Sequence, residues 1–273
     1  MEISCQRGEG YTLVTPGGVG TPGDADTLHT VLLESFADGT DAVVCDVTCA
    51  QEPPEVRHAL VNAVLAAANR TRGWPGMLLV VVGPEPAAAA GELPAGLAAA
   101  ARLADAVRLV GARLRARTAG EVLEPLLQAP ALARAFLRRT LAGWGAERFV
   151  DDALLVVDEL VANAVLHAGT EIELRLALRA DRLGVAVADR SRERPSLEYA
   201  DGAAERGRGL LLVDAVATDW HVLPRRDGGK VVRAVLVAGS ADQADQVVDL
   251  RKAATSAAAG TVSRSAVPRG GPS

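Results

Sequence analysis

No stretch of the sequence approaches the roughly 18 uninterrupted apolar residues of a membrane span. The nearest candidate, Leu93–Val110, is broken by Arg102, Asp105 and Arg108. The first residues, Met1-Glu2-Ile3-Ser4, lack the basic start and apolar core of a secretory signal. Cysteine is scarce and odd in number, with only Cys5, Cys45 and Cys49. Such usage fits a reducing compartment, so the cytoplasm is the expected location. Cys45 and Cys49 have no second pair with which to build a zinc site, and the cysteines read as small core residues. Lysine is almost missing: of 29 basic residues only Lys230 and Lys252 are lysine. Nor do the basic residues gather. Residues 1–118 carry 9 basic and 13 acidic groups (−4), residues 119–238 carry 16 and 18 (−2), and the remainder 4 and 3 (+1), which sum to the net −5. No segment has the charge surplus of a phosphate-backbone footprint, so direct nucleic-acid binding is not expected. There is no internal repeat.

What is present is a chain of 273 residues, 49% hydrophobic and 23% charged. That balance supports a buried core in one large domain or two ordinary ones. Through residue 118, strand-like and helix-like segments alternate. Strands are predicted at Tyr11–Thr15, Ala42–Val47, Met77–Val82 and Ala106–Val110, and helices at Asp24–Phe36, Glu55–Thr71, Ala95–Ala104 and Ala112–Arg117. This order predicts an α/β domain with a largely parallel sheet over residues 1–118. A boundary is expected within Arg117–Pro130. Residues 125–238 then read as an α+β layer with helices on one face of a mixed or antiparallel sheet. Its helices are predicted from Pro130 to Gly143, over Glu147–Ala168 and over Leu210–Ala217, with strands at Glu171–Arg179, Arg182–Ala188, Trp220–Leu223 and Lys230–Val237. Residues 239–273 turn to Ala, Ser, Gly and Pro and are expected to be a disordered tail.

The segment Leu154-Leu-Val-Val-Asp-Glu-Leu-Val-Ala-Asn-Ala-Val-Leu-His167 is the most informative. Glu159, Asn163 and His167 recur every fourth residue and drift only ~40° per step, so they form one stripe on an otherwise apolar helix. Only Asp158 joins them as a polar residue in Ala153–Ala168. Polar groups so placed need partners when buried: a ligand with its metal, internal hydrogen bonds, or a wet cleft. Asp189 ends an alternating strand, where its carboxylate suits either an exocyclic amine such as that of adenine or a turn. In Glu205-Arg-Gly-Arg-Gly-Leu210, two glycines precede a helix. That pattern admits either a close phosphate or a plain turn.

Taken in order, Glu159, Asn163 and His167 on a helix, Asp189 at a strand end, and Gly207, Arg208, Gly209 and Leu210 opening a helix resemble the GHKL (Bergerat-fold) ATP-binding family. The likeness covers about residues 125–237 and is greatest to the anti-sigma-factor serine kinases and their actinobacterial regulatory relatives. It implies ATP and Mg²⁺ as cofactors, with Asn163 holding Mg²⁺ and Glu159 as general base. Asp189 would read adenine, Gly207, Arg208 and Gly209 would lie near the phosphates, and His167 and Leu210 would complete the nucleotide site. A carboxylate one helical turn from a metal-binding amide can polarise an attacking hydroxyl. The partners implied are an antagonist protein of the STAS type, a sigma factor, or both, with a homodimer allowed. The resemblance thus points to an ATP-binding regulator of the anti-sigma-factor kinase type, phosphorylating Ser or Thr of an antagonist. The alternative is a non-catalytic interaction module in a partner-switching pathway. It draws on Arg190-Ser-Arg-Glu-Arg-Pro195, which stands where the family has a glycine-containing motif.

The first domain resembles STAS domains through Leu13-Val-Thr-Pro16, Asp41–Thr48 and Gly76–Val82. The place of the phosphorylatable serine of such antagonists reads Ala50-Gln-Glu-Pro-Pro-Glu-Val-Arg57, with no Ser or Thr, which implies a degenerate version. His29 and His221 read as surface or structural residues, and His58 lacks the following acidic and Pro positions of a phospho-accepting histidine. Arg134, Arg138 and Arg139 read as a solvated helix face, and Ser191 and Ser196 have no evident base partner.

Overall fold

Short apolar runs, β-branched at the centre of the sheet, build the strands Ala42–Asp46 and Leu78–Val82 of the first layer. The computed structural model describes residues 2–17, 20–21, 23–40, 42–48, 53–75, 78–82, 96–113, 116–193 and 208–238. Strands β1 (Glu2–Gly8), β2 (Tyr11–Gly17), β3 (Ala42–Asp46), β4 (Leu78–Val82) and β5 (Leu97–Ala100) lie in sequence order. β1 and β2 form an antiparallel hairpin, and β2 through β5 are parallel. Because strand side chains alternate between faces, Val43, Cys45, Leu79 and Val81 meet the buried leucines of α1 (Asp24–Ala37) and α2 (Pro54–Thr71). Ala42, Val44, Ala98 and Ala100 meet Ala106 and Val110 of α3 (Leu103–Arg113) instead.

Here the structure corrects the sequence expectation. Residues predicted as a helix over Ala95–Ala104 supply β5, and α3 replaces the strand and helix predicted at Ala106–Val110 and Ala112–Arg117. Leu97-Ala-Ala-Ala100 has strong helix propensity, but it pairs in register with β4, Leu79 opposite Leu97 and Val82 opposite Ala100. Tertiary pairing overrides a propensity worth only tenths of a kcal/mol per residue.

The second sheet holds β6 (Arg117–Leu123), β7 (Ile172–Arg179), β8 (Arg182–Asp189), β9 (Asp219–Pro224) and β10 (Lys230–Val237) in the order β6-β7-β8-β10-β9. Every pairing is antiparallel. β6, within the stretch expected to contain the boundary, is its edge strand. Helices α4 (Ala129–Trp144), α5 (Val150–His167) and α6 (Arg208–Val216) complete the layer. α4 starts with Pro130 in its first turn and ends on Gly145 at φ +64°, the left-handed stop that glycine provides without steric cost. A 3₁₀ turn over Glu147–Phe149 buries Phe149 and leads into α5. α5 opens with Asp151 and Asp152 at the positive end of its dipole.

Both faces of this sheet are covered. Leu174, Val187 and Val232 pair across one face. On the other, Ala186, Ala188, Leu223 and Val231 share a core with α1 and α2. Gly184 forms a notch there: a Cβ would come within 2.9 Å of the Trp74 ring and of Pro75. The Arg233 guanidinium lies 4.8 Å over the same ring and donates to the Phe36 carbonyl. Arg226 donates to Ser35 Oγ at 3.1 Å and lies 3.5 Å from Asp38. These cations sit at the carbonyl end of α1, where the helix dipole favours positive charge. Met1–Ala238 accordingly forms one compact unit. Cavities of about 310 Å³ and 650 Å³ lie along this second face, lined among others by Arg175 and Trp74 and by Arg179 and Asp219. The predicted tail lies outside the described residues.

Candidate nucleotide site

The polar stripe of α5 divides in two. Asp158 turns toward α4, where Arg134 Nη1 donates to its Oδ1 at 2.7 Å. Arg134 is therefore an ion-pair partner rather than a freely solvated charge, and Arg139 lies 3.9 Å from Glu121 and over the Phe136 ring. Glu159 and Asn163 are half-buried and face the start of α6. A Cβ at Gly209 would overlap the Glu159 carboxylate and lie 3.7 Å from the Asn163 side-chain amide. The stripe and the glycine, 46 residues apart between Asn163 and Gly209, thus form one surface. Glycine lets the α6 backbone come this close to the carboxylate, and a side chain here would make the Glu159 head group turn aside. Burial, and then the neighbouring Asp158, raise the Glu159 pKa above 4.5.

The remaining predicted residues fall in different places. His167 closes α5 and is exposed. Leu210 is buried in the first turn of α6. Arg208 begins that helix, its side chain not among those described, and Gly207 lies outside the described residues.

Asp189 ends β8 and is buried, at 4% exposure. Its Oδ1 accepts from Lys230 Nζ at 2.8 Å and from the Ser191 backbone N–H at 2.8 Å. Lys230 is 8% exposed and sits directly opposite Asp189 in the β8–β10 register. The chain beyond Asp189 is tied down through Glu193. Arg190 N–H donates to Thr170 Oγ1 at 3.0 Å, and Glu193 N–H donates to Ser191 Oγ at 3.2 Å. The hairpin loop between β9 and β10 backs this segment, since a Cβ at Gly229 would overlap the Asp189 carbonyl. Arg194 and Pro195 of the same predicted replacement lie outside the described residues.

Lys230, Gly229 and Thr170 carried no signal as site residues. Gly228-Gly229-Lys230 is readable as a hairpin turn and strand start, but only the antiparallel register brings Lys230 to Asp189. Among the described residues no group of three or more His, Cys, Asp and Glu could hold a metal ion. Asn163 nonetheless offers a side-chain oxygen one helical turn from the Glu159 carboxylate. That suits Mg²⁺, which takes one or two protein oxygens and fills its shell with phosphate oxygens and water. No helix among the described residues is long and apolar enough to cross a membrane.

The crystal structure of the RsbU and RsbW domains of Rv1364c from Mycobacterium tuberculosis is similar to this chain at 22% identity, with a TM-score of 0.35. The match covers 45% of this chain, which spans about a third (32%) of the length of that one. No curated protein matches the chain. The model of the histidine kinase-like ATPase domain matches residues 123–236, the span from the end of β6 through β10 that contains Glu159, Asn163, Asp189, Gly209 and Lys230. Residues 123–236 of this chain therefore carry the match to the histidine kinase-like ATPase domain.

Proposed function

We propose that the domain binds Mg·ATP between α5 and α6 and serves as a regulatory protein kinase of the anti-sigma-factor type, transferring the γ-phosphate to Ser or Thr of an antagonist protein of STAS type. The observation that carries this reading is the close approach of the Gly209 backbone to the Glu159 carboxylate beside Asn163. Backbone N–H groups at the start of α6 offer donors to phosphate oxygens, and glycine lets those oxygens come near. The Asn163 side-chain oxygen would hold Mg²⁺, which supplies neutralisation of charge on the phosphates. Glu159, with its pKa raised by burial, is suited to take the proton of an attacking hydroxyl. Asp189, whose Oδ1 is held by Lys230 and by the Ser191 N–H, is assigned the exocyclic amine of the base through Oδ2. Residues 1–118 would be a STAS-like layer without a phosphorylatable serine, and a sigma factor would be a second partner.

Calorimetric titration of Mg·ATP into the full chain tests the site, with Asn163→Ala and Asp189→Asn as controls that abolish binding. Transfer of labelled γ-phosphate to a STAS-type partner, lost in Glu159→Ala, tests the kinase. Absence of nucleotide binding at millimolar concentration sinks the proposal. A second reading, a domain that binds partners without phosphoryl transfer, is favoured by the Asp189–Glu193 segment. Its backbone is engaged by Thr170, Ser191 and the Gly229 loop, an ordering that a glycine-containing motif would not impose. Nucleotide affinity without transfer distinguishes it.

A further inference from the structure

Asp189 and Lys230 are the charged ends of two neighbouring strands whose other residues on that face are apolar: Val187 and Val185 on β8, Val232 and Ala234 on β10. A buried ion pair is seldom more stabilising than apolar residues of similar volume, so packing does not account for a lysine here. The hydrogen bonding is asymmetric. Among the described residues both bonds to Asp189 fall on Oδ1. Lys230 Nζ bonds Oδ1 at 2.8 Å and reaches the Ser191 carbonyl at 3.5 Å. An ammonium has three N–H donors and no acceptor, and an ionised carboxylate only accepts. Side by side they present one acceptor, Oδ2, and one donor, the remaining Nζ–H.

We infer that Lys230 is a second base-reading residue, one that donates from Nζ to the acceptor adjoining the group that Asp189 accepts. This rests on the proposed nucleotide site. Adenine offers the matching edge, N6–H beside N1. A lysine in this place reads N1 directly, with a donor that cannot turn into an acceptor as a hydroxyl or water can. The discrimination therefore falls on the ring nitrogen as well as on the exocyclic amine.

The test compares Mg·ATP with Mg·1-deaza-ATP, in which N1 is replaced by C–H and the N6 amine is kept, titrated calorimetrically into the full chain and into Lys230→Met. The parent is expected to bind the deaza analogue at least 10-fold more weakly, the scale of a lost hydrogen bond to a charged donor. Lys230→Met is expected to bind both nucleotides alike. Should the variant fail to fold by thermal melting, the comparison in the parent decides alone. Equal affinity of the parent for both, with Asp189→Asn abolishing binding, overturns the role of Lys230 and leaves the site intact. Tighter ATP binding by folded Lys230→Met also overturns it, because Lys230 would then be obstructing the base. No binding of either nucleotide to the parent overturns the nucleotide site and this inference together.

Discussion

Gly209→Ala separates the site from the stability of the fold. The added Cβ overlaps the Glu159 carboxylate, and the Asn163 amide lies 3.7 Å away. What must move is the far end of a flexible side chain. Turning Glu159 aside costs about 0.5–1.5 kcal/mol if it leaves a favoured rotamer. Against this, alanine in a helix is favoured over glycine by up to about 1 kcal/mol. The two nearly cancel, so stability is expected within about 1 kcal/mol of the parent. For a unit of this size that is a Tm within about 2–4 °C. Nucleotide binding has no such compensation. The methyl occupies the place where the backbone would approach the phosphates, and the displaced carboxylate no longer stands beside Asn163. Affinity for Mg·ATP is expected to fall at least 10-fold, equivalent to about 1.4 kcal/mol. Thermal melting and calorimetric titration on the same preparation read both quantities. An unchanged Kd would refute the placement of the phosphates at Gly209. A loss of Tm far beyond 4 °C would refute the claim that Glu159 yields readily.

Ala180 is the only non-glycine at positive φ among the described residues, at +53° in the β7–β8 turn. Ala180→Gly relieves a left-handed penalty of about 1 kcal/mol and should raise Tm by about 2–4 °C. Gly184→Val should cost about 2 kcal/mol by overpacking against Trp74, and far less in a Trp74→Ala background. Additive costs in that double-mutant cycle would refute the contact. Glu159 has a folded pKa raised above 4.5 by burial, so its ionised form disfavours folding above that pH, and the penalty is relieved as pH falls. Glu159→Gln should therefore melt above the parent at pH 7, with the gap narrowing toward pH 5; a constant gap would refute the cause. Burial pushes the Cys45 thiol up to about 12. With Cys5 and Cys49 replaced by serine, Cys45 should resist thiol reagents at pH 8 until the chain is unfolded.

The α5 stripe was legible in the sequence because helical spacing is local: four-residue steps place Glu159 and Asn163 on one face whatever surrounds them. The strands and helices of residues 130–237 were legible for the same reason, as apolar alternation and apolar stripes bounded by glycines, although the first helix was expected to stop at Gly143 and runs on to Trp144 with Gly145 as its left-handed stop. Local reasoning failed at Leu97-Ala-Ala-Ala100, where alanine propensity favours helix and the pairing with β4 decides for strand. It also left out β1, where only Ile3 and Cys5 alternate with exposed polar residues before the pattern ends.

The sequence by itself determined which residues could bear chemistry and on which kind of element each sits. Only the tertiary structure decided which of them meet. Lys230 reaches Asp189 through antiparallel register across 41 residues of chain. Gly209 reaches Glu159 through packing of two helices. Arg226 and Arg233 reach the end of α1 across almost the whole compact unit. Periodicity is a property of neighbouring residues, whereas register and helix packing come from burying distant apolar faces together, and no local pattern encodes that choice of partner.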